Sequence, residues 1–248
     1  EYVPGEDIRL IDWNVTARTS VPHIKKLVEE RELTVMLMVD ASGSGRFGSV
    51  DRFKNELAAE LCAVLAFSAI KNHDRVGLII FTDEVELYVP PDKGRRHVLR
   101  VIRDVLYFKP KGRGTNIPEA LHFLNGVTKR KAVAFLVSDF MEDDYEKPLS
   151  IANRRHDVIA VPVTDPREES LPDVGLVNIR DAETGREMLV DTSKAKMRKT
   201  YEERARERAT ARDEILSRTR VDTIHVRTDK PYIDEIHRFF KMRKKRHG

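Results

Sequence analysis

The segment Leu33-Thr-Val-Met-Leu-Met-Val39 is a continuous apolar run that leads directly into Asp40-Ala-Ser-Gly-Ser44. An apolar run without alternation predicts a strand buried on both faces, as in a parallel sheet with helices on each side. Ligands of such sheets bind beyond the carboxyl ends of the strands. The carboxylate of Asp40 and the hydroxyls of Ser42 and Ser44 are therefore expected at a binding site.

Two later segments add to this expected site. The run 132–137 is a second apolar strand, and Asp139 follows its end. The loop 112–115 contains two glycines and ends on Thr115, just before a predicted helix. Because parallel strands end at one edge of a sheet, we expect Asp139 and Thr115 to lie close to Asp40.

The predicted site offers only oxygen ligands. Oxygen ligands without sulfur or imidazole favour a hard divalent ion, with Mg²⁺ ahead of Mn²⁺ or Ca²⁺, over zinc. Two carboxylates and three hydroxyls leave positions on an octahedral ion for water or for a carboxylate from another protein. Each piece alone is also typical of helix caps and turns, so the hypothesis depends on all of them together. The candidate metal ligands are Asp40, Ser42, Ser44, Thr115 and Asp139.

This order of residues, Asp-x-Ser-x-Ser followed by a distant Thr and a distant Asp, resembles the metal-ion-dependent adhesion site (MIDAS) of von Willebrand factor A domains. The resemblance implies that Ser42, Ser44 and Thr115 bind the ion directly. It implies that Asp40 and Asp139 bind it directly or through water, and that a Glu or Asp of a partner protein takes the last position. The implied fold is α/β, a doubly wound and mostly parallel sheet with helices on both faces, of von Willebrand A or Rossmann-like type.

The pattern of apolar strands and helices predicts one main domain with appendages. We expect an N-terminal arm at residues 1–31 and a von Willebrand A-like domain at residues 32–248. Within that domain, two short strands near 174–191 predict an inserted β-hairpin, and the segment 194–217, charged on nearly all sides, predicts an exposed helix. Three further segments are predicted as a loop at 164–169, a strand at 221–226 and a helix from Pro231 to Phe240.

A second resemblance covers nearly the whole chain. The segments Tyr2–Arg18, Ser138-Asp-Phe140 and Arg238-Phe-Phe240 are similar to a bacterial family named only as domain of unknown function fifty-eight. Members are associated with MoxR-type AAA+ ATPases, which implies an adaptor role in the assembly or maturation of other proteins. Glu6 departs from the family pattern, in which a second Asp is common at this position.

The N-terminal arm concentrates charged residues around the one tryptophan. Asp7, Arg9, Asp12 and Arg18 are predicted to form an ion-pair network around Trp13 and to fasten the arm onto the sheet domain. This structural interpretation is preferred to the alternative, in which the same residues are a docking face for the ATPase.

The composition narrows the class of protein. The 248 residues are 40% hydrophobic and 35% charged, with a formal net charge of +4, as expected for a globular chain with a highly charged surface. The basic run 241–246 is expected to be solvated, so no nucleic-acid partner is predicted. The single cysteine, Cys62, excludes an internal disulfide and favours the cytoplasm, and no apolar run is long enough to span a membrane.

Binding is the preferred function because no catalytic motif is evident. The chain has neither a Gly-x-x-x-x-Gly-Lys-Ser/Thr loop nor a Gly-x-Gly-x-x-Gly motif after a strand. We therefore expect a non-catalytic, MIDAS-type interaction module whose partner supplies an acidic side chain. The alternative is a magnesium-dependent phosphatase or nuclease that uses Asp40 and Asp139.

Overall fold

The computed structural model describes Tyr2 and residues 7–23, 32–48, 52–180 and 185–247 of the chain. The chain divides into two compact units, Glu1–Glu32 and Leu33–Gly248. Each unit is described by itself below.

In its described residues, the first unit contains a 3-10 helical turn (Ile8–Leu10) and the short helix α1 (Trp13–Thr19). Asp12 caps this helix, because its carboxylate accepts hydrogen bonds from the amides of Asn14 and Val15 at 3.1 and 3.3 Å. Asp7 likewise accepts from the amide of Arg9 at 3.0 Å, and Trp13 is 65% exposed. Both carboxylates thus bind backbone amides, and the predicted ion-pair clasp onto the sheet domain stays a prediction.

The second unit is built on a mostly parallel sheet. Its strands lie in the order β3-β2-β1-β4-β5, with β8 and β9 both beside β5, and only β3 is antiparallel to its neighbour. This arrangement confirms the predicted doubly wound α/β fold. The described strands are β1 (Thr34–Asp40), β2 (Arg75–Phe81), β3 (Val85–Asp92), β4 (Val133–Ser138), β5 (Asp157–Thr164), β6 (Leu176–Arg180), β7 (Glu187–Asp191), β8 (Asp222–Thr223) and β9 (Val226–Arg227).

Helices cover both faces of this sheet. The described ones are α2 (Lys54–Lys71), α3 (Arg95–Tyr107), α4 (Ile117–Val127), α5 (Glu146–Arg155), α6 (Pro166–Glu169), α7 (Ala195–Arg218) and α8 (Ile233–His247). Leu37 of β1 belongs to the core formed with α2, α3 and α8, whereas its neighbours Met36 and Met38 belong to the core formed with α4 and α5. Strand β1 is therefore apolar at every central position because both of its faces are buried.

The prediction of a loop at residues 164–169 is wrong, because this segment contains the helix α6. Asp165 caps this short helix by accepting from the amide of Arg167 at 2.9 Å, and Glu168 accepts from the amide of Asp165 at 3.0 Å. This reciprocal capping box, with Pro166 at the first helical position, was present in the sequence as Asp-Pro-Arg-Glu.

The strand predicted at residues 221–226 is split into β8 and β9, although both keep one register beside β5. The carbonyls of Ala160 and Thr164 accept from the amides of Ile224 and Thr228. Pro162, midway between them, therefore faces the same neighbour and has no amide hydrogen to donate. The missing donor interrupts the ladder at this point.

The predicted hairpin is present as the antiparallel pair of β6 and β7, which forms a sheet of its own. Residues 181–184 of its predicted turn lie outside the described residues. The predicted charged helix is α7, in which Leu216 is the buried residue. Across the described parts of the chain, no helix combines the length and the apolar character needed to cross a membrane. Cys62 is buried, and the cytoplasmic location stays a prediction.

Acidification should destabilise the protein through His156, whose Nδ1 lies 3.4 Å from the amide of Ala132. Burial and, second, Arg155 lower the pKa of His156 below its ordinary value of 6.5. Below about pH 6.5 the unfolded chain therefore binds more protons than the folded chain. The stabilisation that comes from keeping His156 neutral is complete above that pH, and the free energy of unfolding decreases as pH falls below it. The slope for one group is at most about 1.4 kcal/mol per pH unit.

Urea denaturation between about pH 8 and about pH 5 measures this slope. His156→Gln should make it shallower, while His225, whose pKa burial also lowers, keeps part of it. The exposed His122 gives the control variant His122→Gln. Equal slopes in both variants and the wild type would contradict the assignment.

Candidate metal centre

Asp40 is the last residue of β1 and lies at the carboxyl edge of the sheet. Its Oδ1 accepts from the amide of Ser42 at 2.9 Å. Its Oδ2 accepts from the hydroxyls of Ser138 at 2.7 Å and Thr115 at 3.3 Å. Three segments distant in sequence therefore meet on one carboxylate.

Ser42 and Ser44 lie on the turn that follows β1. Their hydroxyl oxygens are 2.9 Å apart, and Ser42 is 2% exposed. The amide of Gly43 donates to the carbonyl of Arg113 at 2.8 Å, which joins this turn to the loop that carries Thr115. Backbone contacts thus hold the two hydroxyl-bearing loops together.

Glu86 anchors the loop that carries Thr115. Its carboxylate accepts from the amides of Lys111 and Gly112 at 2.9 and 3.0 Å and from the hydroxyl of Thr82 at 2.7 Å. Burial raises the pKa of Glu86, but these hydrogen bonds outweigh burial and the pKa lies below its ordinary value. A side chain at Gly112 would collide with Thr82 and Asp83, so the loop requires glycine there.

Asp139 follows β4 and forms an ion pair that the sequence did not reveal. Its Oδ1 accepts from the amide of Met141 at 3.2 Å, and its Oδ2 accepts from the ammonium of Lys54 at 2.7 Å. Lys54 also donates to Glu168 at 2.6 Å and its side chain is only 3% exposed. Burial lowers the pKa of Lys54, but Asp139 and Glu168 outweigh burial and raise it overall, so the ammonium stays charged.

The environment of Asp40 disfavours its anion. Burial, and then the charge of Asp139, raise the pKa of Asp40 to about 6, although hydrogen bonds from Ser138 and Ser42 act in the opposite direction. A cation placed between the two aspartates would relieve this repulsion. Metal binding at these donors stays a prediction.

A small cavity lies between these side chains. Its volume is about 20 Å³, and its lining includes Asp40, Ser44, Lys54 and Asp139. A volume of about 10–15 Å³ is enough for one water molecule. The cavity has the size of one small ion, and the oxygens of Asp40, Ser44 and Asp139 are donors that suit a hard cation, while the ammonium of Lys54 already supplies positive charge to the same cavity.

A larger cavity of about 180 Å³ borders the other side of Asp40 and Ser42. Its apolar lining comes from the end of α3 and the segment that follows, including Leu106, Phe108 and Pro110. Leu106 is 52% exposed. The charged centre thus has an accessible apolar neighbour.

The structure brings the five sequence-predicted residues into one site. Asp40, Ser42, Ser44 and Thr115 are connected by the hydrogen bonds described above, and Asp139 lines the small cavity with Asp40. Sequence reasoning missed the contributions of Lys54, Glu86, Ser138 and Glu168. One signal was available, since Lys54 begins an apolar helix, where a positive charge opposes the helix dipole unless an anion lies nearby.

The family described as "Protein of unknown function DUF58" matches residues 1–211. The chain belongs to this family. This match confirms the resemblance to that family, and the association with MoxR-type ATPases stays a prediction.

Relatives in mycobacteria extend over almost the whole chain. Uncharacterized proteins of Mycobacterium tuberculosis and Mycobacterium bovis are 33% identical over 252 residues, which cover 98% of this chain and 78% of each relative. The family description and these relatives assign no activity, so the function of the site has to be argued from its chemistry.

Two solved structures share the fold. The conserved hypothetical protein BatB from Bacteroides thetaiotaomicron has a TM-score of 0.55 at 16% identity and covers 87% of this chain and 100% of its own. An aerotolerance-related membrane protein from Bacteroides fragilis has a TM-score of 0.55 at 15% identity and covers 86% of this chain and 99% of its own. At these identities the likeness shows the doubly wound fold alone.

The variant Glu86→Ala should destabilise the site loop. It leaves the amides of Lys111 and Gly112 without their carboxylate. Hydrogen bonds to a charged group contribute about 1.5–3 kcal/mol each, but water can replace the lost acceptor at this half-buried position, so we expect a smaller loss of about 1–3 kcal/mol in the free energy of unfolding. Urea denaturation measures this loss. Glu84→Ala, at an exposed position two residues earlier, should change stability by less than about 0.5 kcal/mol. Equal effects of the two substitutions would show that Glu86 is no anchor.

Proposed function

We propose that the protein is a non-catalytic, metal-dependent interaction module that captures an acidic side chain of a partner protein. The observation that carries this proposal is the convergence of oxygen donors at the carboxyl edge of the sheet, where Asp40, Ser44 and Asp139 line a cavity of about 20 Å³. Ser42 and Thr115 lie outside that lining but are hydrogen-bonded to Asp40. Ser42, Ser44 and Thr115 would hold Mg²⁺, or Mn²⁺ or Ca²⁺, through their hydroxyls, with Asp40 and Asp139 as the anionic members.

The chemistry of the donors explains why a partner's carboxylate is needed. A bound ion supplies positive charge and a coordination position that the protein leaves open. Three of the five donors are neutral hydroxyls, and the charge of Asp139 is shared with Lys54. A carboxylate from outside would add the negative charge that the protein's own donors lack.

The neighbouring surface suits a partner segment that is acidic and apolar together. Leu106 lines the cavity beside Asp40 and is 52% exposed. Three further exposed apolar side chains lie close in sequence to the site segments, namely Phe47 at 40%, Phe53 at 48% and Tyr107 at 77% exposure. The cavity of about 180 Å³ beside Asp40 has room for a side chain of leucine size. A partner's acidic residue at the ion would place an adjacent bulky apolar residue in this cavity.

The partner we favour is a MoxR-type AAA+ ATPase, for which this protein would act as an adaptor in the cytoplasm during assembly or maturation of other proteins. Support comes from membership of the family and from the sequence resemblance that implied this association. The exposed helix α7 offers a second surface for such an assembly. The phosphatase or nuclease alternative predicts turnover of phosphate esters that Asp40→Ala abolishes, whereas the module predicts metal-dependent capture without turnover.

The double variant Ser42→Ala/Ser44→Ala tests the centre directly. It should lose the heat of Mg²⁺ binding in titration calorimetry and also lose Mg²⁺-dependent capture of the cognate ATPase, because two neutral donors are removed without changing charge. The exposed serines Ser68 and Ser217 give the matched control, Ser68→Ala/Ser217→Ala, which should behave as wild type. Capture that is equal in all three proteins, with or without chelator, would refute the proposal.

Leu106→Gln tests the apolar part of the surface. Burial of a leucine side chain contributes about 1.5–3 kcal/mol, so capture of the ATPase should weaken by about tenfold while the Kd for Mg²⁺ stays unchanged. The control is Leu99→Gln, on the same helix at 45% exposure and outside the cavity lining. An effect of the same size in both variants would remove this cavity from the partner surface.

A further inference from the structure

The ammonium of Lys54 is buried between two carboxylates, one inside the candidate metal centre and one outside it. Asp139 lies at 2.7 Å and Glu168 at 2.6 Å from Nζ. Lys54 also lines the small cavity together with Asp40 and Asp139. The ammonium therefore already supplies a positive charge beside the cavity that a metal ion would occupy.

Packing alone does not explain a positive charge at this position. Lys54 is the first residue of α2, where the helix dipole disfavours a cation, and its side chain is 3% exposed. An apolar side chain of similar length would fill the same space but would leave the carboxylates of Asp139 and Glu168 without their cation. The ammonium is therefore expected to act through its charge.

Glu168 holds the ammonium from the opposite side, and its own position is fixed. Its second oxygen accepts from the amide of Asp165 at 3.0 Å. Asp165 is fully buried and accepts from the hydroxyl of Thr228 at 2.6 Å and from the amide of Arg167 at 2.9 Å. The charge of Lys54 is thus divided between Asp139 and a carboxylate on α6.

We propose that Lys54 is an internal counter-cation that weakens metal binding at the centre, and that Glu168 moderates this effect by sharing the ammonium with Asp139. The inference rests on the proposed function, since it concerns the regulation of the same site. A centre that is weakened in this way binds its ion reversibly. A partner's carboxylate then strengthens ion binding by adding negative charge, so ion and partner bind cooperatively.

Two substitutions should shift the affinity in opposite directions. Lys54→Met removes the ammonium and leaves all three carboxylates, so the Kd for Mg²⁺ should decrease by about tenfold or more. Glu168→Gln leaves the whole ammonium facing Asp139, so the Kd should increase by about tenfold. Calorimetric titration with MgCl₂, repeated with MnCl₂, measures the Kd, and the rise in Tm with added Mg²⁺ provides a second readout.

The control is Glu169→Gln, which makes the same change in charge one residue along α6. Glu169 pairs with Arg227 at 2.7 Å instead of Lys54. A Kd in Glu169→Gln that shifts as much as in Glu168→Gln would reduce the effect to general electrostatics and overturn the assignment.

The remaining outcomes separate this inference from the proposed function. If the wild-type protein shows neither Mg²⁺ heat nor a shift in Tm, the proposed function and this inference fail together. If the wild type binds Mg²⁺ and Lys54→Met binds it equally or more weakly, the inference alone fails. Should Lys54→Met not fold, as judged by circular dichroism, Glu168→Gln decides the matter, because an unchanged or tighter Kd in that variant overturns the proposal.

Discussion

Two carboxylates, one half-buried and one buried, lie at one edge of the sheet because β1 and β4 are adjacent and parallel. Asp40 ends β1, and Asp139 follows β4 at the same edge. Their mutual repulsion adds to the cost of burial, and the surrounding structure is arranged to limit it. Ser138, Thr115 and Lys54 all donate to one of these two groups.

The negative charges of Asp40 and Asp139 are compensated unequally. Asp139 has a buried ammonium beside it, whereas Asp40 accepts from hydroxyls and from a backbone amide. The protein therefore supplies a cation to Asp139 but only neutral donors to Asp40. This asymmetry underlies both proposals, that the centre binds a cation and that Lys54 weakens its binding.

The loops around the centre are fixed by contacts outside it. Glu86 holds the segment before Thr115, and the capping box of α6 holds Glu168, which in turn holds Lys54. The centre is thus preorganised by neighbouring backbone amides as well as by its own members. Substitutions in Glu86 or in the capping box of α6 would therefore disturb the centre without altering any of its proposed ligands.

Much of the fold follows from local sequence. Apolar runs marked β1 and β4, and helical spacing of apolar residues marked α2, because both faces of such a sheet must be covered. The order of Asp40, Ser42, Ser44, Thr115 and Asp139 predicted that these residues lie at one edge of the sheet, and their role as metal ligands stays a prediction. The capping box of α6 and the interruption beside Pro162 were also encoded locally. The capping box was missed because its residues, among them Asp165 and Pro166, are also typical of turns.

The ion pairs were decided by the tertiary structure alone. Lys54 is 85 positions from Asp139 and 114 from Glu168 along the chain. No local rule of spacing reports such a contact, because it depends on how α2 and α6 pack beside the carboxyl edge of the sheet. The sequence determined which oxygen donors gather at the site, and the packing of helices determined which charge they face.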